Sequence, residues 1–298
     1  MQNLPIRAYA PAKINLYLGV YPQKDQRGYH RVDSLMCAIG LHDQLDFQPA
    51  SGFQVYCTPE VDFPMESNSV YKAVLAFCEV FQCQVPDMKV TIHKKIPFKS
   101  GLGGASADAA ATLLVMAELF GVDSRNLKLL EIASSLGADV PFFLQSQIQL
   151  LKGAGDLPYQ SFQIPEGMWL VLVRPFGDGI TAQEAYQRYD RYLQVPPSVD
   201  SMVEALESRD VRAVAARLSN SLDPVALELM KPLVKVKRWL AAQNGVLSAM
   251  VSGSGSSIFA ICASETQAQQ VSAAARELGL WSWSGAPVDS GVRMEAED

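Results

Sequence analysis

Between Arg7 and Tyr21 apolar and polar positions alternate. Ala10, Ala12, Ile14, Leu16, Leu18 and Val20 fall on one face, and Pro11, Lys13, Asn15, Tyr17 and Gly19 on the other. A period of two is a strand's, so one face is expected to be buried while Lys13 and Asn15 point together from the opposite face. Residues 32–39, 44–49 and 53–57 carry similar patterns, with a loop at 25–30 before them, which predicts an antiparallel sheet built from hairpins.

The period then changes. Residues 68–81 place Val70, Val74, Leu75, Phe77 and Cys78 at helical spacing, and 88–97 alternate as a strand. Residues 106–120 are apolar on most sides, as in a buried helix, with Gly121 suited to end it. A helix at 124–136 stops before the turn Gly137-Ala138-Asp139-Val140-Pro141. After Gly153 and Gly155 the pattern restarts with an apolar strand at 168–175. Helical stretches are expected at 182–193, 201–207, 211–218 and 224–243. A strand–turn–strand at 246–262, a helix at 265–278 and a strand near 280–284 complete the chain. At 298 residues it exceeds one typical core, so an α+β protein of two domains, 1–160 and 161–298, is expected.

A net charge of −6 removes the basic face that general nucleic-acid binding needs, though local dipoles can still hold a small anion. Cys37, Cys57, Cys78, Cys83 and Cys262 form no CxxC pair, and only three histidines accompany them, which argues against zinc. Unpatterned thiols fit a reducing cytosol. The first residues lack an apolar signal core, and no apolar run reaches the roughly 18 residues of a membrane span. A cytoplasmic protein with no membrane or nucleic-acid partner is expected. His42 and His93 read as structural.

The densest chemical signal is "PFKSGLGGASADAAA", residues 97–111. A tight strand-to-helix turn explains one glycine, but Gly101, Gly103 and Gly104 together ask for close approach to the main chain. A phosphate held by N–H groups at a helix N-terminus makes that demand. The loop lacks the Gly-Lys-Ser/Thr ending of a P-loop, and Ser106 stands where a dinucleotide fingerprint needs glycine or alanine. Protein-kinase His-Arg-Asp and Asp-Phe-Gly signatures are also missing. A second glycine turn lies at Ser252-Gly253-Ser254-Gly255.

The blocks "APAKINLYLGV", "GYH", "IPFKSGLGGASADAAATL", "LGADVPFFL" and "MVSGSGSSIFAI" occur in this order from Ala10 to Phe259. Together they resemble the GHMP kinase superfamily, and within it the branch acting on a CDP-linked methylerythritol in the non-mevalonate isoprenoid pathway. The resemblance implies an N-terminal domain like ribosomal protein S5, a C-terminal α/β sandwich, and an active site in the cleft between them. It implies transfer of the ATP γ-phosphate, with Mg2+, to the tertiary hydroxyl of the methylerythritol. In that scheme Asp139 takes the hydroxyl proton while Lys13 fixes and polarises the hydroxyl and Asp139.

By the same resemblance, Pro97, Phe98, Lys99, Ser100, Gly101, Leu102, Gly103, Gly104, Ala105, Ser106 and Ala107 wrap the ATP phosphates, with Ser106 toward Mg2+. Asn68 and Lys94 lie where the family contacts adenine. Asn15, Tyr29, His30, Thr181 and Tyr186 fall to the substrate, with Tyr29 and Tyr186 as the aromatics that stack on cytosine. The residues alone admit blander explanations: Asp139 as a turn residue, Lys13 as an edge or solvated lysine, Asn68 as a helix cap, Lys94 as an exposed lysine, Ser252–Gly255 as a hairpin turn. The chain also departs from the family's usual Gly-Leu-Gly-Gly-Gly-Ser-Ser. Ala105 replaces a glycine, which requires a negative φ there, and Ala107 replaces a serine, leaving Ser106 the hydroxyl. Arg27 stands where aspartate is common.

Rival expectations are another superfamily kinase, such as a homoserine or mevalonate kinase, and a nucleotide-binding relative without turnover. A ribosomal-type module fits the acidic charge and the second domain poorly. The Gly28-Tyr29-His30 block favours a substrate with a base, and Lys13 with Asp139 favours retained catalysis. A monomer or weak homodimer is expected.

Overall fold

The computed structural model describes residues 4–60, 64–145, 147–192 and 194–296. The chain opens with two long antiparallel strands, β1 (Ile6–Lys24) and β2 (His30–Pro49). It continues through β3 (Gln54–Thr58), α1 (Ser69–Phe81) and β4 (Met88–His93) into α2 (Gly104–Phe120), α3 (Leu127–Leu136) and α4 (Val140–Gln145). A hairpin, β5 (Ile148–Lys152) and β6 (Leu157–Phe162), precedes β7 (Trp169–Arg174). Next come α5 (Ala182–Tyr189), α6 (Asp200–Glu207), α7 (Val211–Ala216), β8 (Ser219–Asn220), α8 (Asp223–Leu229) and α9 (Pro232–Ala241). The last elements are β9 (Val246–Val251), β10 (Ile258–Cys262), α10 (Glu265–Glu277), β11 (Trp281–Gly285) and β12 (Arg293–Ala296).

Two sheets organise these elements. The first runs β12-β1-β2-β4-β3, with the β5–β6 hairpin attached to β2 and β8 to β1. The second runs β11-β7-β10-β9. The changeover falls between Phe162 and Trp169, although β8 and β12 return to the first sheet.

Three differences from the sequence pattern have physical causes. Residues 32–39 and 44–49 belong to one strand, because a two-residue offset in the ladder (Pro11 opposite His42, Ala12 opposite Ile39) absorbs Gly40 and Leu41. β3 and β4 pair in parallel, since α1 connects them as a crossover that a hairpin cannot supply. The helix expected at 224–243 divides at Pro232, which has no N–H to continue α8; Met230 leaves the helical region with φ −127° and ψ 85°. Leu193, the expected end of the helix at 182–193, lies outside the described residues, and α5 closes at Tyr189.

Helices α1 to α4 cover one face of the first sheet, burying Phe47, Phe77, Met88, Val90, Phe142 and Phe143. A second core, with Ile14, Leu16, Leu35, Ile39, Leu172, Phe259 and Ile261, fills the space between the two sheets. A third lies under α5, α8, α9 and α10. Strand β1 changes sides at its register shift. Ala8 and Ala10 belong to the first core, and Ala12, Ile14 and Leu16 to the second. Alternation continues unbroken in sequence, but the faces exchange at Pro11/Ala12. Lys13 and Asn15 consequently join the helix side, where α2 begins.

Phe77 is fully buried, with ring centroids 4.6 Å from Phe81 and 5.7 Å from Phe120. Phe77→Ala is expected to cost about 3–5 kcal/mol, read as a lowered urea midpoint at unchanged m-value.

Candidate active site

A cleft of about 980 Å³ opens between the end of α2 nearest the glycine loop and helix α5, and residues of both halves line it. Lys13 stands at its floor. Its side chain is 5% exposed, so its ammonium must find partners inside the protein. Nζ donates to Asn15 Oδ1 at 2.7 Å and lies 3.2 Å from Asp139 Oδ2. Asn15 Nδ2 in turn donates to Ser34 Oγ at 2.9 Å. Asp139 lies just before α4 and remains 30% exposed, so its carboxylate is held by Lys13 yet open to the cleft. The edge-lysine explanation therefore fails: Lys13 is buried, opposite Ala38 of β2 on one side and bonded through its own N–H to Leu102 O of the glycine loop on the other.

The two glycine turns lock together over this pair. Lys13 N–H donates to Leu102 O at 2.9 Å, and Ser252 Oγ donates to Gly101 O at 3.1 Å. A Cβ on Gly101 would lie 2.0 Å from Ser252 O, and φ there is +74°. A Cβ on Gly103 would lie 3.0 Å from Lys13 Cγ, and one on Gly253 would lie 3.3 Å from Lys13 Nζ. Close backbone approach thus accounts for these glycines, and Ser252–Gly255 is more than a hairpin turn. Asn220 secures the second turn, donating from Nδ2 to Val251 O and Gly253 O, each at 2.8 Å.

Helix α2 starts at Gly104, so Ala105 sits in its first turn with the negative φ it needs. Its first N–H groups and Ser106 border the cleft. Pro97, Phe98, Lys99, Ser100, Gly101, Leu102, Gly103 and Gly104 line it as well. Ala107 is the exception. It is fully buried in the core beneath the sheet-facing side of α2, and its N–H donates to Gly103 O at 2.9 Å, so neither its side chain nor its amide faces the cleft.

Asn68 caps α1, its Oδ1 accepting from Val70 N–H at 2.9 Å, and it also lines the cleft. Lys94 is not an exposed lysine. Its Nζ lies 2.5 Å from Asp43 Oδ2 and 2.8 Å from Asp108 Oδ2, with side-chain exposures of 6%, 0% and 4%. Burial alone would lower the Lys94 ammonium, but Asp108 and Asp43 outweigh it and hold it above its usual value. Asp108 is pushed up to about 7, first by burial and then by Asp43, against the pull of Lys94. Asp43 also accepts from Lys95 and Ile96 N–H at 2.6 and 2.8 Å, which ties the root of the glycine loop to β2.

At the other end of the cleft, Tyr29 is 60% exposed and His30 is buried. The His30 ring stacks beside Tyr186, with centroids 6.2 Å apart and planes at 21°. Burial, and then the Asp139 charge, raise the Tyr186 phenol well above its ordinary range. Thr181 caps α5 in a reciprocal capping box with Glu184 while facing the cleft. Sequence reasoning missed Asp43, Asp108 and Asp190. Asp108 had a signal, since a carboxylate inside an apolar helix needs a partner. Asp43 and Asp190 had none, because their partners are distant in the chain.

Residues 68–147 match the GHMP kinases N terminal domain, and residues 202–279 match the GHMP kinases C terminal domain. The 4-diphosphocytidyl-2-C-methyl-D-erythritol kinase of Pelotomaculum thermopropionicum is 35% identical over 90% of this chain and 93% of its own. That of Syntrophus aciditrophicus is 33% identical over 93% and 96%. A crystal structure of a 4-(cytidine 5'-diphospho)-2C-methyl-D-erythritol kinase superposes with TM-score 0.76 at 28% identity, covering 94% of this chain and 98% of that one. A homoserine kinase from Cytophaga hutchinsonii reaches TM-score 0.77 at 18% identity, covering 99% of each chain, a likeness of fold alone. The chain belongs to the GHMP kinases and, among them, to the family of 4-diphosphocytidyl-2-C-methyl-D-erythritol kinases.

Proposed function

We propose that this cleft transfers the γ-phosphate of ATP to the tertiary hydroxyl of the methylerythritol moiety of a CDP-linked substrate. The observation that carries the reading is the Lys13–Asp139 contact of 3.2 Å, lying between the glycine turns and the Tyr29–Tyr186 end of one cleft. Asp139 accepts the proton as the hydroxyl oxygen attacks phosphorus, and the bond to the β-phosphate oxygen breaks to release ADP. Such a base contributes about 10²–10⁴-fold. Lys13 holds the carboxylate in place and stabilises charge growing on the oxygen. Backbone N–H groups of the glycine loop and the start of α2 supply the field for the phosphates, which explains how an acidic chain binds a polyanion.

Asn68 and Lys94 border the adenine end of the cleft, with the Lys94 ammonium 5.3 Å from the centre of the Phe98 ring. Among the described residues, no three carboxylates, cysteines or histidines gather into a metal cage. That donor set suits Mg2+ carried in on the nucleotide phosphates with most of its waters, with Ser106 as the protein oxygen at the helix start. The ion would neutralise phosphate charge. Residues 1–160 and 161–298 are the two domains in this reading. The protein would act in the cytoplasm as a monomer or weak homodimer; among the described residues no helix is long and apolar enough to cross a membrane.

ADP release with the CDP-methylerythritol substrate tests the reaction. Wild type should turn over, and Asp139→Asn should lose about 10²-fold or more in kcat with its KM values little changed. Absence of wild-type turnover, with the cytidine compound still bound, would leave a binding protein instead. Gly101→Ala should weaken binding of a non-hydrolysable ATP analogue by roughly tenfold or more, measured by calorimetry, because the added methyl collides with Ser252 O at a φ that alanine resists.

A further inference from the structure

The segment between β1 and β2 is a short turn that carries Tyr29, and it is braced more heavily than an exposed loop requires. Inside the turn, Asp25 N–H donates to Tyr29 O at 2.8 Å and Gly28 N–H to Asp25 O at 2.9 Å. Asp25 Oδ1 accepts from Arg27 and Tyr29 N–H at 2.9 and 3.0 Å. Both roots of the turn are then tied to one carboxylate from the other half of the chain. Asp190, the residue that caps the C-terminus of α5, lies 2.8 Å from His30 Nε2 and accepts from Lys24 Nζ at 3.0 Å. The hydrogen bond from Lys24, with burial opposing it and His30 adding to it, holds the Asp190 carboxyl below its usual range.

His30 itself is committed on every side. Its Nδ1 lies 2.7 Å from Tyr21 O, which only accepts, and its Nε2 is taken by Asp190. One ring face meets Tyr186, and the Tyr189 ring meets it edge-on with centroids 5.9 Å apart. A third brace is particular to this chain's departure at Arg27. Its guanidinium donates to Asp25 Oδ2 at 2.8 Å and to Asp156 Oδ2 at 3.0 Å, and it lies 5.3 Å from the centre of the Tyr29 ring. Asp156 is 5% exposed, and its other oxygen accepts from Ala154 N–H at 3.0 Å, beside the cleft-lining Gly155.

We propose that Asp190 and Arg27 are positioning residues for the cytidine end of the substrate. They hold the Tyr29 turn at a set distance from the α5 face that carries Tyr186, so that the slot for the base exists before the base arrives. Asp190 engages the turn through His30 as well as through Lys24. The inference rests on the substrate reading above, and it adds which residues set the slot and why. A preformed slot binds a flat base without the cost of ordering a loop, so loss of the brace appears in affinity for the cytidine partner alone.

The test uses Asp190→Ala, Arg27→Ala and the conservative Asp190→Glu in the full-length protein. CDP binding is measured by calorimetry, and KM is measured separately for the CDP-linked substrate and for ATP. Asp190→Ala should raise the Kd for CDP and the KM for the CDP-linked substrate roughly tenfold, the scale of one lost charge-assisted hydrogen bond. KM for ATP and kcat should stay within about twofold, because Asp190 and Arg27 hydrogen-bond within and beside the Tyr29 turn rather than to the Lys13–Asp139 pair or the glycine turns. Arg27→Ala should shift the same two constants about threefold, and Asp190→Glu should recover most of the loss. Unchanged CDP affinity in Asp190→Ala would overturn the inference. So would a parallel rise in both KM values with a fall in kcat, the mark of general loosening. If wild type binds ATP analogue but no CDP, the cytidine reading of the cleft falls, and the inference falls with it.

Discussion

A lysine buried in the middle of a strand determines how the centre of this molecule is arranged. The Lys13 ammonium cannot remain unpaired at 5% exposure, and its partners come from separated parts of the chain. Asn15 lies two residues along the same strand, while Asp139 arrives at the turn before α4. One glycine in each turn answers to this side chain: a Cβ on Gly103 would lie 3.0 Å from its Cγ, and one on Gly253 would lie 3.3 Å from its Nζ. Placing the lysine there required β1 to exchange faces at Pro11/Ala12, so that strand, helix start and carboxylate meet on one side of the sheet. A charge that is costly to bury is thereby fixed at the point where a phosphoryl group would pass.

The local half of this design was legible in the residues. Alternation identified β1, helical spacing identified α1, a run apolar on most sides identified α2, and the clustered glycines signalled the close main-chain approach that Gly101 and Gly103 show. Asn68 is instructive because it makes the expected cap on α1 and lines the cleft as well. What was hidden depends on contacts that no local pattern encodes. Strict alternation conceals the face exchange in β1, since the period survives a bulge while its meaning reverses. Lys94 reads as an ordinary surface lysine until Asp43 and Asp108 close on it. Ala107 sits within the glycine-loop motif but at the helical position that faces the core. Asp190 lies 160 residues from His30 and carries no motif at all.

Fold similarity by itself does not choose the substrate. The homoserine kinase superposes as well as the cytidine-linked kinase, with TM-scores of 0.77 and 0.76. The difference lies in identity over nearly the whole length, 28% for the cytidine-linked kinase against 18% for the homoserine kinase.

The central claim is that Lys13 and Asp139 act as one unit on the transferring phosphoryl group. A double-mutant cycle on kcat tests it most directly, using Lys13→Met, Asp139→Asn and the pair together. Groups that act together lose most of their effect when either is removed, so the double variant should be little slower than the worse single variant. Losses that multiply would mean that the two residues work independently, and would contradict the account.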